Sequence, residues 1–343
     1  MSPSLPSVNR RVLLAGRPRG LPVATDWRFE DVPIGPLEAG QVLVKVLKLS
    51  LDPAMRGWMN EGRSYIAPVA LGEVMRAGGI GEVIASRHPA FAVGTHVSGS
   101  LGVQQYCTVD AAARNHGGLA PVDLALAPAE KWLNPLGMPG MTAYFGLLEV
   151  GRPQPGQTVV VSGAAGAVGQ AVGQIARIKG CRAVGIAGGK AKCDFVVGDL
   201  GFDACVDYKS GDLKAGLKAA CPDGVDVYFD NVGGEVLDAV LTRLARHARV
   251  VICGAISQYN STQAVRGPAN YLSLLVNRAR MEGMVVFDYA SRYPEAVKEI
   301  AGWMAAGKFQ SREDVVTGLD DFPERLLMLF SGANFGKLVL DVA

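Results

Sequence analysis

Aromatic residues make up only 7% of this 343-residue chain, and charged residues only 19%. The charges nearly cancel: 34 Lys and Arg against 32 Asp and Glu leave +2. That balance gives no electrostatic footprint for nucleic acid, and without a run of five like charges there is no interaction tail. Cysteines are few and scattered. Cys107, Cys181, Cys193, Cys205, Cys221 and Cys253 stand at least 12 positions apart, so no CxxC pair offers a zinc or redox site. A chain this long builds its core without disulfides, and buried free thiols in a reducing cytosol are expected. A membrane segment is missing too. Arg10-Arg11 is followed by only VLLAG before Arg17, too short for a signal. The longest uncharged run, between Arg152 and Arg177, holds too much Gly, Gln, Ser and Pro to cross a bilayer. A cytoplasmic protein with neither membrane nor nucleic-acid partner is expected.

Glycine is what the chain has in surplus, 43 residues against an average usage of about 7%. With 49% hydrophobic residues, this excludes disorder and coiled coil and leaves a core-rich protein of about two domains. Between about 135 and 290, six short apolar runs alternate with helical stretches. They are Val159–Ser162, Ala183–Ala187, Ala204–Asp207, Val225–Phe229, Val250–Gly254 and Met281–Val286. Their starts lie 21 to 31 residues apart, room for one crossover helix each, which predicts a doubly wound parallel sheet of Rossmann type. Residues 1–130 offer instead Val42–Leu49, Gly81–Ala85 and His96–Ser98 as strands between Gly/Pro turns. A helix at Pro323–Phe330 and a strand at Gly336–Val342 close the chain. If that strand returns to the β-rich half, one domain is discontinuous, 1–130 with 303–343, around a second of 131–302, with the cofactor in the cleft between them.

The first of the six strands runs into Gly163-Ala-Ala-Gly166-Ala-Val-Gly169 and then a helix. Glycines at this spacing between strand and helix allow a tight turn and close approach of a pyrophosphate, and the helix N-terminus supplies free N–H groups. An enzyme for NAD(H) usually places Asp or Glu at the end of the next strand to hold the adenosine ribose. Here that strand ends in Ala187-Gly188-Gly189-Lys190-Ala191-Lys192, with no acid before Asp194. Two lysines suit a ribose 2′-phosphate, so the loop favours NADP(H).

With these features in place, the chain resembles a zinc-free medium-chain dehydrogenase/reductase, and more narrowly the prostaglandin reductase, alkenal (double-bond) reductase and curcumin-reductase-like group. The resemblance runs almost end to end through LDPAMRGWM (51–59), GGIGEV (78–83), LGMPGMTAYFGL (136–147), SGAAGAVG (162–169), FDNVGG (229–234), CGAISQYN (253–260) and NFGKLV (334–339). It implies a GroES-like, mostly β first domain completed by the C-terminal segment. It implies that Gly163, Gly166, Ala167, Val168 and Gly169 hold the pyrophosphate, and Lys192 and Tyr208 the 2′-phosphate. Asn231 and the run Cys253, Gly254, Ala255, Ile256, Ser257 and Tyr259 would line the path to the nicotinamide. Met284, Val285, Val286 and Asn334 would close around it, with Met138 and Thr142 alongside. Zinc-dependent relatives carry Gly-His-Glu where this chain reads Leu71-Gly72-Glu73, and a metal-binding cysteine shortly before Ser50-Leu51-Asp52-Pro53. His88, His96, His116 and His247 have no cysteine or histidine at ligand spacing and read as surface or capped side chains. No metal is expected.

The resemblance further implies reduction of a C=C bond conjugated to a carbonyl, with Tyr259 and the ribose hydroxyl stabilising the enolate and Tyr259 or water supplying the proton. Tyr65 matches a second pocket tyrosine. The substrate-facing loop reads Ser98-Gly99-Ser100-Leu101-Gly102 where prostaglandin reductases have aromatic residues, so Ser100 and Leu101 would shape a different pocket. Two other readings stay open, an NADPH-dependent quinone reductase and a catalytically silent NADPH-binding protein. Relatives are commonly dimers, and Met281–Tyr289 offers an edge for extending the sheet into a homodimer.

Overall fold

The computed structural model describes residues 5–111 and 118–342, so His116 lies outside the described residues. The chain divides into two compact units: residues 1–133, 314–334 and 338–343 form one, and residues 134–313 and 335–337 the other. Among the described residues no helix is long and apolar enough to cross a membrane.

The first unit begins with β1 (Val8–Leu14) and β2 (Trp27–Pro33), an antiparallel pair. The sequence reading missed both, because charged residues interrupt their apolar pattern. Those charges meet across the pair: Arg11 lies opposite Glu30 and Arg10 opposite Asp31, and each couple is an ion pair. There follow β3 (Gln41–Ser50), β4 (Gly78–Ser86), β5 (His96–Ser100), β6 (Tyr106–Asp110) and the two-residue β7 (Ala120–Pro121).

The second unit carries β8 (Thr158–Ser162), β9 (Arg182–Ala187), β10 (Ala204–Asp207), β11 (Val225–Asp230), β12 (Leu244–Ile252) and β13 (Arg280–Gly283). All pair in parallel, in the order β10-β9-β8-β11-β12-β13. The strand order reverses between β8 and β11, the Rossmann arrangement. Every residue of β8 is buried, as a central strand covered on both faces requires. The sixth strand is shorter than the run 281–286: it stops at Gly283, and Val286–Arg292 forms a 3-10 helix. The fifth ends at Ile252, before Cys253-Gly254.

The tail returns as β14 (Glu313–Thr317), the helix Phe322–Ser331 and β15 (Lys337–Asp341). β15 pairs antiparallel with β3, and the seven-stranded sheet reads β14-β15-β3-β4-β5-β7 with β6 also on β3. Phe322, Leu326, Leu338 and Leu340 join Val42, Val44 and Val83 in one buried core, and the Phe322 ring meets Trp27 edge-on at 5.2 Å.

The boundary anticipated at 302 falls at 313 instead. Two glutamines on the helix Ala167–Ile178 account for the shift. Gln174 Oε1 accepts the Gln310 N–H at 2.9 Å while its Nε2 donates to the Gln310 carbonyl at 2.8 Å. Gln170 treats Arg312 in the same way, at 2.9 and 3.2 Å. The expectation of six free thiols is also corrected. Cys193, on the helix Lys190–Gly198, is disulfide-bonded to Cys205 of β10, with Cα atoms 5.3 Å apart. The crossover helix lies against the strand it leads into, which brings the two together. Cys181 and Cys221 are buried free thiols, while Cys107 and Cys253 are free and half-buried.

Candidate functional site

The glycine loop joins β8 to the helix Ala167–Ile178. Gly163 turns at φ +63, and a Cβ on Gly169 would lie 2.8 Å from Ala164 Cα, so the helix meets the loop backbone to backbone. Gly166 is the N-cap. No side chain caps it, and no acidic residue stands in the first turn. The N–H groups of Ala167, Val168 and Gly169 thus open a 12-residue helix whose positive dipole end meets no protein anion in that turn.

The end of β9 forms a second wall. Tyr208 lies over Gly188, where a Cβ would come within 2.8 Å of its hydroxyl. The two lysines separate. Lys190 pairs with Asp194 one turn along the helix at 2.6 Å, largely in solvent, whereas Lys192 Nζ sits 5.9 Å from the centroid of Phe335. An acid does reach this corner, from the neighbouring strand. Asp207 Oδ1 accepts the N–H groups of Gly189 and Lys209 at 2.7 and 2.9 Å, bonds that hold its carboxyl below the usual range. Its role is to close the turn.

At the carboxyl end of β11, Asp230 organises the next segment. Its Oδ1 accepts from Ser162 Oγ (3.0 Å), the Tyr228 hydroxyl (2.7 Å) and the N–H groups of Val232 (3.0 Å) and Gly233 (2.9 Å). Its Oδ2 is buried with no hydrogen-bond partner among the described residues. Ser162 Oγ in turn accepts the Asn231 N–H at 2.9 Å, and Asn231 Nδ2 donates to the Ser162 carbonyl at 2.8 Å. Cys253 and Gly254 N–H groups reach the Asp230 carbonyl, and Ile256 that of Asn231. Burial, then the Asp230 charge, push the Cys253 thiol up to about 12, so it is neutral. Tyr259 follows the short 3-10 turn Ile256–Gln258, seven residues past β12. Its hydroxyl oxygen accepts the Ala255 N–H at 3.1 Å and passes so close to Gly254 that a Cβ there would be 2.8 Å away.

A further cluster gathers Met138, Thr142 and Val286 around a residue that sequence reasoning missed. Tyr293 donates to the Val286 carbonyl at 3.1 Å and lies 3.7 Å from Met138 Sδ. Thr142 Oγ1 donates to the Met138 carbonyl at 2.7 Å. Met138 is exposed, Met284 is buried, and Val285 and Val286 are half-buried. Tyr293 has no motif around it; only the fold brings it 155 residues back to Met138.

In the first unit, Tyr65 lies 59% exposed on an irregular loop. Ser100 is exposed at the end of β5, but Leu101 is fully buried and belongs to the unit's core. Ser100 and Leu101 both border a cleft of about 200 Å³ that Val69, Glu73, Arg76 and Cys107 also line. Asn334 precedes Phe335 and is half-buried.

Residues 10–116 match the family model described as the N-terminal domain of oxidoreductase, and residues 167–302 that of zinc-binding dehydrogenase. The chain is 42% identical to the NADPH-dependent curcumin reductase of Escherichia coli (strain K12), over 98% of this chain and 97% of that one. It is likewise 42% identical to the 2-alkenal reductase (NADP(+)-dependent) of Nicotiana tabacum, over 98% of each. The crystal structure of CurA in complex with NADPH from Vibrio vulnificus superposes with a TM-score of 0.91 at 42% identity, covering 97% of this chain and 99% of that one. The chain belongs to the curcumin, alkenal and prostaglandin reductase group of medium-chain dehydrogenase/reductases. For a reductase of this group the second unit is well furnished. An uncapped helix start, a loop without side chains at its closest approach, a tyrosine over Gly188 at the end of β9 and a lysine on the helix that follows together fit a phosphorylated dinucleotide. Among the described residues no group of three or more His, Cys, Asp or Glu is placed to hold a metal ion.

Proposed function

We propose that this protein, an NADP(H)-dependent oxidoreductase, reduces the C=C bond of α,β-unsaturated ketones and aldehydes without a metal. When bound, NADPH supplies the hydride that enters the substrate at the β carbon. The residues then have one task at the far end of the conjugated system: charge collects on the carbonyl oxygen, and a hydrogen-bond donor must already be there. Tyr259 carries the reading. Tyrosine keeps its proton at pH 7, and the bond from Ala255 fixes its oxygen at the carboxyl end of the sheet. A donor of this kind contributes about 3–4 kcal/mol to lowering the barrier. The proton for the α carbon comes from Tyr259 or from water.

In the same proposal, Gly163 to Gly169 hold the pyrophosphate, and Lys192 and Tyr208 the 2′-phosphate. Asn231, Cys253 to Ser257, Met138, Thr142, Met284 to Val286 and Asn334 surround the rest of the cofactor. Tyr65 and Ser100 contact substrate, while Leu101 supports Ser100 from within the core. The protein assembles as a homodimer through the edge strand β13, which follows in the chain the helix Leu272–Asn277 with its exposed Leu272, Leu275 and Val276. Light scattering on the full chain tests that assembly, and a monomeric mass overturns it.

The deciding experiment follows NADPH absorbance with a panel of enones, enals and quinones, repeated with NADH. Consumption with enones and enals is expected. Consumption with quinones alone replaces the reading by quinone reduction, and none with any acceptor makes the protein a cofactor binder.

A further inference from the structure

We infer that Arg312 is a second cationic contact for the 2′-phosphate of the cofactor's adenosine ribose, working beside Lys192; this rests on the placement of that phosphate at Lys192 made above. Nothing near Arg312 in the sequence marks it. The fold carries it to the phosphate-binding elements from two sides. Its backbone is pinned by the Gln170 side chain, one turn into the helix that opens the glycine loop. Next to it, Gly336 bridges Gly166, the N-cap of that helix, and approaches so closely that a Cβ would lie 2.8 Å from the Arg312 carbonyl carbon.

The Arg312 guanidinium, meanwhile, lies against the helix that carries Lys192. It stacks 4.0 Å from the Phe335 centroid and 5.7 Å from that of Phe195. Phe195 is three residues beyond Lys192, on the same helix face, and meets Phe335 edge-on at 5.1 Å. Since Lys192 Nζ is 5.9 Å from the centroid of that same Phe335 ring and Arg312 Cζ 4.0 Å, the two charged groups are less than 10 Å apart.

Two positive charges brought to one ring favour an anion shared between them. Arg312 is exposed, and among the described residues it forms no ion pair. Stacking occupies the face of the guanidinium and leaves its in-plane N–H groups available, the edge that binds phosphate oxygens two at a time. A phosphate dianion at Lys192 is the ligand that fits. Phe335 and Phe195 are the positioning residues, holding the guanidinium where Gln170 has brought its backbone.

Calorimetric binding of 2′,5′-ADP and of 5′-ADP to the full-length protein tests this without turnover. Arg312→Gln is expected to weaken 2′,5′-ADP by at least about tenfold while 5′-ADP changes less than about twofold, as for the loss of one charged hydrogen-bonding partner. Arg312→Lys should recover part of the affinity. Fluorescence titration should show NADPH losing affinity and NADH keeping it. Equal losses for 2′,5′-ADP and 5′-ADP would assign Arg312 to the pyrophosphate and overturn the inference. So would unchanged binding of both with a lowered melting temperature, which would leave only a structural stack.

Discussion

Ser162 at the end of β8 donates its hydroxyl proton to Asp230 at the end of the neighbouring β11, across 3.0 Å inside the protein. This bond ties the strand entering the glycine loop to the strand presenting Asn231. Because Asp230 Oδ1 also satisfies Tyr228, Val232 and Gly233, Asp230→Ala strands several buried donors at once. The expected cost is about 4 kcal/mol. Ser162→Ala removes one donor and leaves the Asn231 N–H without its acceptor, for about 1–2 kcal/mol. Denaturant unfolding of the two variants should rank them in that order, and equal midpoints would show that Asp230 has no organising part.

Tyr259→Phe separates chemistry from binding. Removing the hydroxyl should lower kcat by about a hundredfold to a thousandfold, with the dissociation constant for NADPH kept within about twofold. Ala255 loses its acceptor in this variant, so the binding measurement has to accompany the rate. A loss in binding that matches the loss in rate would mean that the phenol only braces its loop.

The glycine loop was legible because its information is local: strand, turn and helix follow one another within about 20 residues, and each glycine has its own steric reason. Lys192 was singled out by its distance from that loop. Arg312, Phe335 and Tyr293 were not, since each is defined by contact with residues 117 to 155 positions away. Leu101 shows the opposite failure. Sequence placed it on the substrate-facing loop, but a single step along an extended chain turns the side chain to the other face, and Leu101 points into the core while Ser100 is exposed. β1 and β2 were hidden because their charges pair with each other rather than alternate with apolar residues.

Two glycine substitutions of opposite sign probe how far steric demand reaches. Gly302 lies inside the helix Tyr293–Ala305, and an added Cβ there would meet nothing within 4 Å. Gly302→Ala should therefore stabilise by about 0.5–1 kcal/mol. Gly169→Ala places the same methyl group against Gly163 and Ala164 backbone, so the loop must move away from the helix. NADPH binding should weaken sharply there and remain unchanged in Gly302→Ala. Normal cofactor affinity in Gly169→Ala would remove the close approach as a requirement.

The free thiols supply a pH dependence whose direction can be worked out. Burial pushes Cys221 up to about 11, and burial with the Asp230 charge pushes Cys253 up to about 12. A thiol in the unfolded chain titrates near about 8.5. Between those limits the unfolded chain releases protons that the native protein retains, so unfolding becomes easier as pH rises. The contribution is fully present below about pH 8.5 and fades toward pH 11–12, at about 1.4 kcal/mol per pH unit for each thiol. Replacing Cys221 or Cys253 by Ala should flatten the alkaline fall in stability, whatever the cavity costs at neutral pH. Denaturation midpoints compared across that window, variant against parent, read the slope directly. Parallel curves would mean that neither thiol is held neutral by the fold.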